Sequence, residues 1–188
     1  MSGQSVLGRA PVRDCRPALV LQESRAAFNP ALTLRRSVIE PATARNWAPP
    51  LDRIDRLCRG LEAPPDLLDR RPTEASIGQA QGVGILRDLI AAPPLILFDE
   101  PLSALDAVAQ EHTAKLIADL QAKDGFAALI VTHDLGYACA HAEDIAVLRA
   151  GRIEEVGPSQ EFLATPRTEY GRTLRDAAIA LGALEHAV

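Results

Sequence analysis

The feature that most constrains this chain is a short apolar run, Leu95-Ile-Leu-Phe98, that ends abruptly in two acids and a proline, Asp99-Glu100-Pro101. Pro94 bounds it on the other side. Four consecutive apolar residues between breakers read as a strand buried on both faces, the signature of a parallel sheet rather than of a half-solvated one. The stretch that follows has the same character. Ala109, Thr113, Leu116, Ile117 and Leu120 mark one face of a helix, and Ala127 to Val131 is a second apolar run. Leu135 to His141 reads as a short helix and Ile145 to Leu148 as a third strand. Strand–helix–strand–helix–strand predicts an α/β fold with parallel strands joined by right-handed crossovers.

The rest of the chain is consistent with one core of ordinary size. It has 188 residues, 47% of them apolar, and a net charge of −5. That composition excludes a disordered chain and argues against nucleic acid as a partner. The four histidines are scattered, and Cys15, Cys58 and Cys139 lie far apart. Neither a zinc site nor a disulfide framework is expected, and reduced thiols fit a cytoplasmic setting. Met1 to Asp14 has no apolar stretch of signal-peptide type, and Ala91 to Phe98 is too short to cross a bilayer. No direct membrane insertion is expected.

Four segments follow from the pattern. Residues 1–17 read as a disordered or remnant N-terminus, with Met1 to Arg16 as loop. Residues 18–75 carry many charges and the pairs Pro49-Pro50 and Pro64-Pro65, between which Leu51, Ile54, Leu57 and Leu61 recur at helical spacing. This predicts a small subdomain of short helices. Residues 76–157 form the α/β core. Residues 158–188 are a helical extension, two helices divided near Pro166.

In a parallel sheet, functional groups gather at the C-terminal ends of the strands. Asp99 and Glu100 leave one strand, and Thr132, His133 and Asp134 leave the next. Adjacent carboxylates there suit metal-assisted attack on a phosphate. One holds Mg²⁺, largely through its waters, and the other deprotonates a water aligned with the leaving group. Taken singly, Asp99-Glu100-Pro101 reads as a polar turn, His133 as a helix-start residue, Ser76 as an ordinary N-cap and Gln22 as an exposed strand end.

Order and spacing carry more than the single residues. Leu95 to Pro101 resembles the Walker B motif of ABC ATPases with its following glutamate. Leu102-Ser-Ala-Leu-Asp106 resembles their D-loop, Val131-Thr-His-Asp134 their H-loop, and Ser76-Ile-Gly-Gln79 their signature loop. Leu21-Gln-Glu-Ser-Arg-Ala-Ala-Phe-Asn-Pro30 resembles the Q-loop stretch of the peptide/nickel importer branch. Gly151 to Gly157 and Pro166 to Leu174, with Tyr170, look like that branch's C-terminal extension. The resemblance implies a partial P-loop NTPase (ABC ATPase) fold, a parallel sheet flanked by helices with a small helical subdomain. It implies ATP and Mg²⁺ as cofactors. Gln22 would sense the γ-phosphate and Mg²⁺, Asp99 would bind Mg²⁺, Glu100 would be the general base, and His133 would contact the γ-phosphate. Ser76, Gly78 and Gln79 would complete the site of an opposing subunit, and Asp106 would lie at the dimer seam. The implied partners are a second ATPase subunit and transmembrane permease subunits, at the inner face of the cell membrane. ATPase heads of chromosome-maintenance proteins share several of these motifs. They also carry heptad coiled coils and basic faces, and neither is visible here.

The pattern breaks in two places. No Gly-x-x-x-x-Gly-Lys-Ser/Thr string, the Walker A loop that wraps phosphates, occurs in these residues. The nearest match is Gly3-Gln-Ser-Val-Leu-Gly8-Arg9-Ala10, with arginine for lysine, alanine for the metal-binding hydroxyl and Pro11 where a helix should start. Ile77 stands where the signature has glycine, a costly exchange if the position needs a positive φ. Gly82 and Gly84 are expected to weaken the helix behind it by about 1 kcal/mol each. The expectation is therefore an ATP-binding subunit that is truncated and catalytically impaired, with unpaired sheet edges and a tendency to aggregate. A non-catalytic pairing module or a degenerate fragment of such a subunit is the alternative.

Overall fold

The computed structural model describes residues 17–184 other than 45, 47, 49, 50 and 62, together with 6–7 and 10–11. Two short strands, β1 (Val6–Leu7) and β2 (Ala10–Pro11), pair antiparallel near the start, where a loop was expected. The chain forms two compact units, Met1–Val131 and Thr132–Val188.

The first unit is built on β3 (Ala18–Val20), followed by α1 (Leu34–Thr43), α2 (Leu51–Gly60), α3 (Ile77–Ile90), β4 (Leu95–Asp99), α4 (Ala107–Asp124) and β5 (Ala127–Val131). Its sheet has the order β3-β4-β5 and both pairings are parallel. Register sets Val20 opposite Phe98, and Asp99 opposite Val131. Alternation along the strands then sorts side chains by face. Val20, Ile96 and Phe98 point to one face and pack with Val83, Leu86 and Ile90 of α3 and Leu34 and Val38 of α1. Leu19, Leu97, Leu129 and Val131 point to the other. Leu19, Leu129 and Val131 are 47%, 55% and 53% exposed.

Helix boundaries follow their capping chemistry. Ser76 and Gln79 form a capping box at the start of α3: the Ser76 hydroxyl accepts from the Gln79 N–H at 3.1 Å, and the Gln79 side chain accepts from the Ser76 N–H at 3.0 Å. Asp106 caps α4, accepting from the Ala109 N–H, and Gly125 ends it in the left-handed region at φ 69°. α2 falls between the two proline pairs, as its periodicity requires. Arg53 on α2 pairs with Asp124 at the end of α4, N to O 2.8 Å, with both side chains mostly buried.

The second unit contains α5 (Leu135–His141), β6 (Asp144–Arg149), β7 (Arg152–Pro158), α6 (Ser159–Ala164) and α7 (Glu169–Ala180). Cys139, Ile145, Val147, Phe162, Ala178 and Leu184 form its core. The helix at Leu135–His141 and the two helices flanking Pro166 match the pattern reading. The third strand does not. Ile145 to Leu148 lies in β6, which pairs antiparallel with β7 in a separate two-stranded ladder. The physical reason is the two-residue connection Ala150-Gly151, with φ values of 48° and 76°. Two left-handed residues make a tight hairpin turn, and a hairpin can only be antiparallel. The third member of the parallel sheet is instead β3, at the head of the Gln22 segment.

Candidate active site

Two of the sequence-predicted residues lie together at the C-terminal end of β4, and a third follows the end of the neighbouring strand. Asp99 is the last residue of β4 and Glu100 follows it, both half-buried. Gln22 lies in the turn two residues past Val20, which pairs with Phe98 at the C-terminal end of β3, and is exposed. Glu100 carries a left-handed backbone, φ 48°. Its N–H donates to the Val131 carbonyl at 2.9 Å, and its own carbonyl accepts from the Ser103 N–H at 3.3 Å and the Ser103 hydroxyl at 3.0 Å. A non-glycine residue in that region costs about 1–3 kcal/mol, and such strain concentrates at working sites.

The signature segment sits over the D-loop segment. A Cβ placed on Gly78 would lie 3.6 Å from the Ala104 carbonyl oxygen and from Leu105 Cδ2. Ser76 and Gln79 are tied to each other by the capping box, and Asp106 uses one carboxylate oxygen to cap α4. Ile77 is the first helical residue, is 67% exposed, and is not among the described residues with positive φ. The position therefore imposes no backbone need for glycine, and the conditional cost of isoleucine does not arise from φ. Gly82 and Gly84 do not interrupt α3. A Cβ on Gly82 would stand 3.3 Å from the Leu61 carbonyl oxygen, and one on Gly84 would stand 2.3 Å from Ser24 Oγ. Both glycines admit close neighbours.

His133 belongs to the second unit and is joined to β5 through Thr132 alone. The Thr132 hydroxyl accepts from the Asp134 N–H at 3.0 Å, which turns the backbone at His133, and Asp134 in turn caps α5 by accepting from the Tyr137 N–H. Burial and the nearby Asp134 charge push the Tyr137 hydroxyl up to about 12. In the Gly3–Ala10 string, Ala10 lies in β2 rather than at the entry to a helix, while Gly3, Gly8 and Arg9 lie outside the described residues.

The residues present fit Mg²⁺ only in part. No group of three or more His, Cys, Asp or Glu able to hold a metal exists among the described residues. Mg²⁺ normally takes one or two carboxylates and fills its other positions with water and phosphate oxygens. Asp99, at a strand end beside Glu100, suits that minimal role.

Pattern reading missed a cluster behind this edge. Gln81, buried inside α3 and 1% exposed, donates through Nε2 to the carbonyls of Leu21 (3.3 Å) and Pro101 (3.2 Å) and accepts from the Ser24 N–H (3.4 Å). Arg25 reaches the carbonyl of Ala75, next to Ser76. The sequence marks Gln81 by nothing more than a second amide in a largely apolar helix.

No protein-family model matches the chain. It is 34% identical over 161 residues to a protein of Brucella ovis named as a peptide import ATP-binding protein, covering 84% of this chain and 51% of that one. It is 36% identical over 174 residues to the nickel import ATP-binding protein NikD of Rhodospirillum rubrum, covering 89% and 66%. The chain thus spans about half the length of the first of these relatives. Among solved structures, the dimeric ATP-binding cassette MJ0796 in a post-hydrolysis state with ADP and Pi matches with a TM-score of 0.68 and 27% identity, over 79% of this chain and 65% of that one. An ATP-binding subunit of an ABC transporter matches with a TM-score of 0.70 at 23% identity, over 92% and 69%, which supports the fold. With motif order, parallel-sheet fold and these relatives in agreement, the chain belongs to the ABC-transporter ATP-binding proteins.

Proposed function

We propose that this chain acts as the part of an importer's ATP-binding subunit that supplies the hydrolytic edge and the signature helix. The solute is a peptide, nickel or a similar small cargo. The observation that carries the reading is Asp99 and Glu100 at the C-terminal end of β4, with Gln22 in the turn that follows β3, its parallel neighbour. In this reading Asp99 would hold Mg²⁺, and the ion would supply charge neutralisation at the phosphates. Glu100 accepts a proton from the attacking water and Gln22 senses the γ-phosphate and Mg²⁺, and the family resemblance gives His133 the role of contacting the γ-phosphate. Ser76, Gly78, Gln79 and Asp106 serve the site of an opposing ATPase subunit. Permease subunits tether the assembly at the inner face of the cell membrane. No helix among the described residues is long and apolar enough to cross a membrane.

The chain by itself is a poor ATPase in this reading. Each charge-assisted hydrogen bond to phosphate contributes roughly 1.5–3 kcal/mol. Forgoing a Walker A lysine and several amides costs on the order of 5 kcal/mol. A micromolar site lies near about −8 kcal/mol, so binding falls to about millimolar at best. The test is phosphate release from Mg²⁺–ATP by the purified chain. Slow or absent turnover is expected. Fast Mg²⁺-dependent turnover that disappears in Glu100→Gln overturns the impairment and keeps the ATPase assignment.

A second reading, a pairing module that is completed by another polypeptide, is favoured by the bare sheet face at Leu19, Leu129 and Val131. All-parallel sheets are normally covered on both faces. Co-purification with a full-length ATPase subunit would support it.

A further inference from the structure

We propose that Gln81 is a positioning residue that fixes Gln22 and Glu100 relative to each other. Its carboxamide has two N–H donors and both are used across the molecule. One holds the carbonyl of Leu21, the residue before Gln22, and the other holds the carbonyl of Pro101, the residue after Glu100. The oxygen of the same carboxamide accepts from the Ser24 N–H. One side chain on α3 therefore grips the backbone at both strand ends that form the candidate site.

The surroundings make that grip specific. At 1% exposure no water competes for the amide. Ser24 is itself buried and donates its hydroxyl to the same Leu21 carbonyl at 3.1 Å. One turn further along α3, Gly84 leaves room for Ser24 against the helix backbone. Arg87 adds a contact to the Ala27 carbonyl and lies over the Phe28 ring at 5.2 Å. The segment after β3 is thus held along the length of α3, while Gln81 also bonds to the segment after β4. Glu100 needs such support. Its left-handed backbone is fixed on one side by the Val131 carbonyl and on the other through Pro101. An apolar residue of equal volume would fill the space but hold neither carbonyl, and a glutamate would turn two donors into acceptors facing acceptors.

The proposal deepens the nucleotide-site reading and rests on it for its purpose, though the link itself is testable without nucleotide. Amide exchange is measured on the full chain for wild type, Gln81→Leu and Gln81→Glu. In Gln81→Leu, exchange at Gln22–Ser24 and at Leu102–Ser103 is expected to rise together by about tenfold, as loss of two hydrogen bonds implies. The amides of β4 and of Ile85–Ile90 stay within about twofold. In Gln81→Glu, the retained oxygen keeps Ser24 protected while Gln22 and Leu102–Ser103 loosen. Loosening of only one segment, of neither, or of β4 and α3 to the same extent overturns the proposal. Should both variants fail to fold, the wild-type chain decides. Both Gln81 Nε2 protons must then exchange far more slowly than those of an exposed glutamine, and rapid exchange overturns the link. Adding Mg²⁺–ATP separates the two ideas. Coupled loosening in the variants, with no shift at Gln22 or Glu100 in wild type even at Mg²⁺–ATP on the order of tenfold above the millimolar constant expected of the chain alone, upholds the link and sinks the nucleotide reading.

Discussion

The N–H of Glu100 donates to the carbonyl of Val131 at 2.9 Å, one residue beyond the last paired position of β4 and β5, and does so with φ at 48°. The ladder is extended past its regular end by a residue in a conformation that L-amino acids disfavour. This arrangement turns the Glu100 side chain out of the alternation that governs β4.

That strain gives a direct test. Glycine adopts a left-handed backbone without the Cβ penalty, and alanine does not. Glu100→Gly is expected to be more stable than Glu100→Ala by about 1 kcal/mol in urea unfolding, reversing the usual order of these residues. Equal stability, or alanine ahead, would mean that Glu100 is not held left-handed in solution. Neither variant should hydrolyse ATP under any assembly that activates the wild type.

A second consequence concerns α3. Gly84→Ala gains helix propensity of about 1 kcal/mol, yet its new Cβ would stand 2.3 Å from Ser24 Oγ and 2.6 Å from Ser24 Cβ. Both groups are buried, so overpacking wins and the net effect is a loss of about 1–2 kcal/mol. Ser24→Gly removes both clashing atoms. In the double variant the penalty of Gly84→Ala should vanish and the propensity gain emerge. A double-mutant cycle by chemical denaturation measures this, and additive effects would contradict the close approach.

Much of this organisation was legible in sequence, for a physical reason. Asp99-Glu100, the helix at Leu135–His141 and the helix between the proline pairs are set by local chemistry: breakers, caps and periodicity. What escaped depends on pairing over distance. β3 has only three residues, Ala18–Val20, too few to show a period, so a strand end at Gln22 could be read but its place beside β4 could not. β6 reads as one more strand of an alternating fold until the Ala150-Gly151 turn commits it to β7. Gln81 gives no local sign of its role, since its partners lie 57, 60 and 20 residues away.

The bare face of the parallel sheet bears on solution behaviour. Leu129 and Val131 on β5 expose over half their surface, on the same sheet face as Leu19 of β3 across β4. Leu129→Thr keeps a strand-favouring side chain and lowers the apolar area. Monomer stability should change by less than about 0.5 kcal/mol, as for a surface position. Self-association by light scattering should fall clearly. If the face is instead the seat of a partner, the same substitution weakens capture of that partner. A large loss of monomer stability would contradict both outcomes, because it would mean the face is covered within the chain.

The last prediction concerns acid. Asp88 on α3 is buried, 6% exposed, and burial raises its pKa above the ordinary aspartate value, with Arg87 beside it at 3.3 Å opposing the shift. The folded chain therefore binds this proton more tightly than the unfolded chain does. The slope of stability against pH is set by protons bound unfolded minus folded, so it is negative for this group. Its burden on stability is present at neutral pH, shrinks as pH falls through the raised folded pKa, and is gone below the unfolded value. Asp88→Asn removes the buried charge and keeps the shape. It is expected to be more stable than wild type at pH 7.5, with an advantage that declines steadily towards pH 4, read from urea midpoints at several pH values. An advantage that is constant with pH would assign the effect to packing. A destabilised variant at pH 7.5 would show that the attraction of Arg87 outweighs the cost of burying the carboxylate.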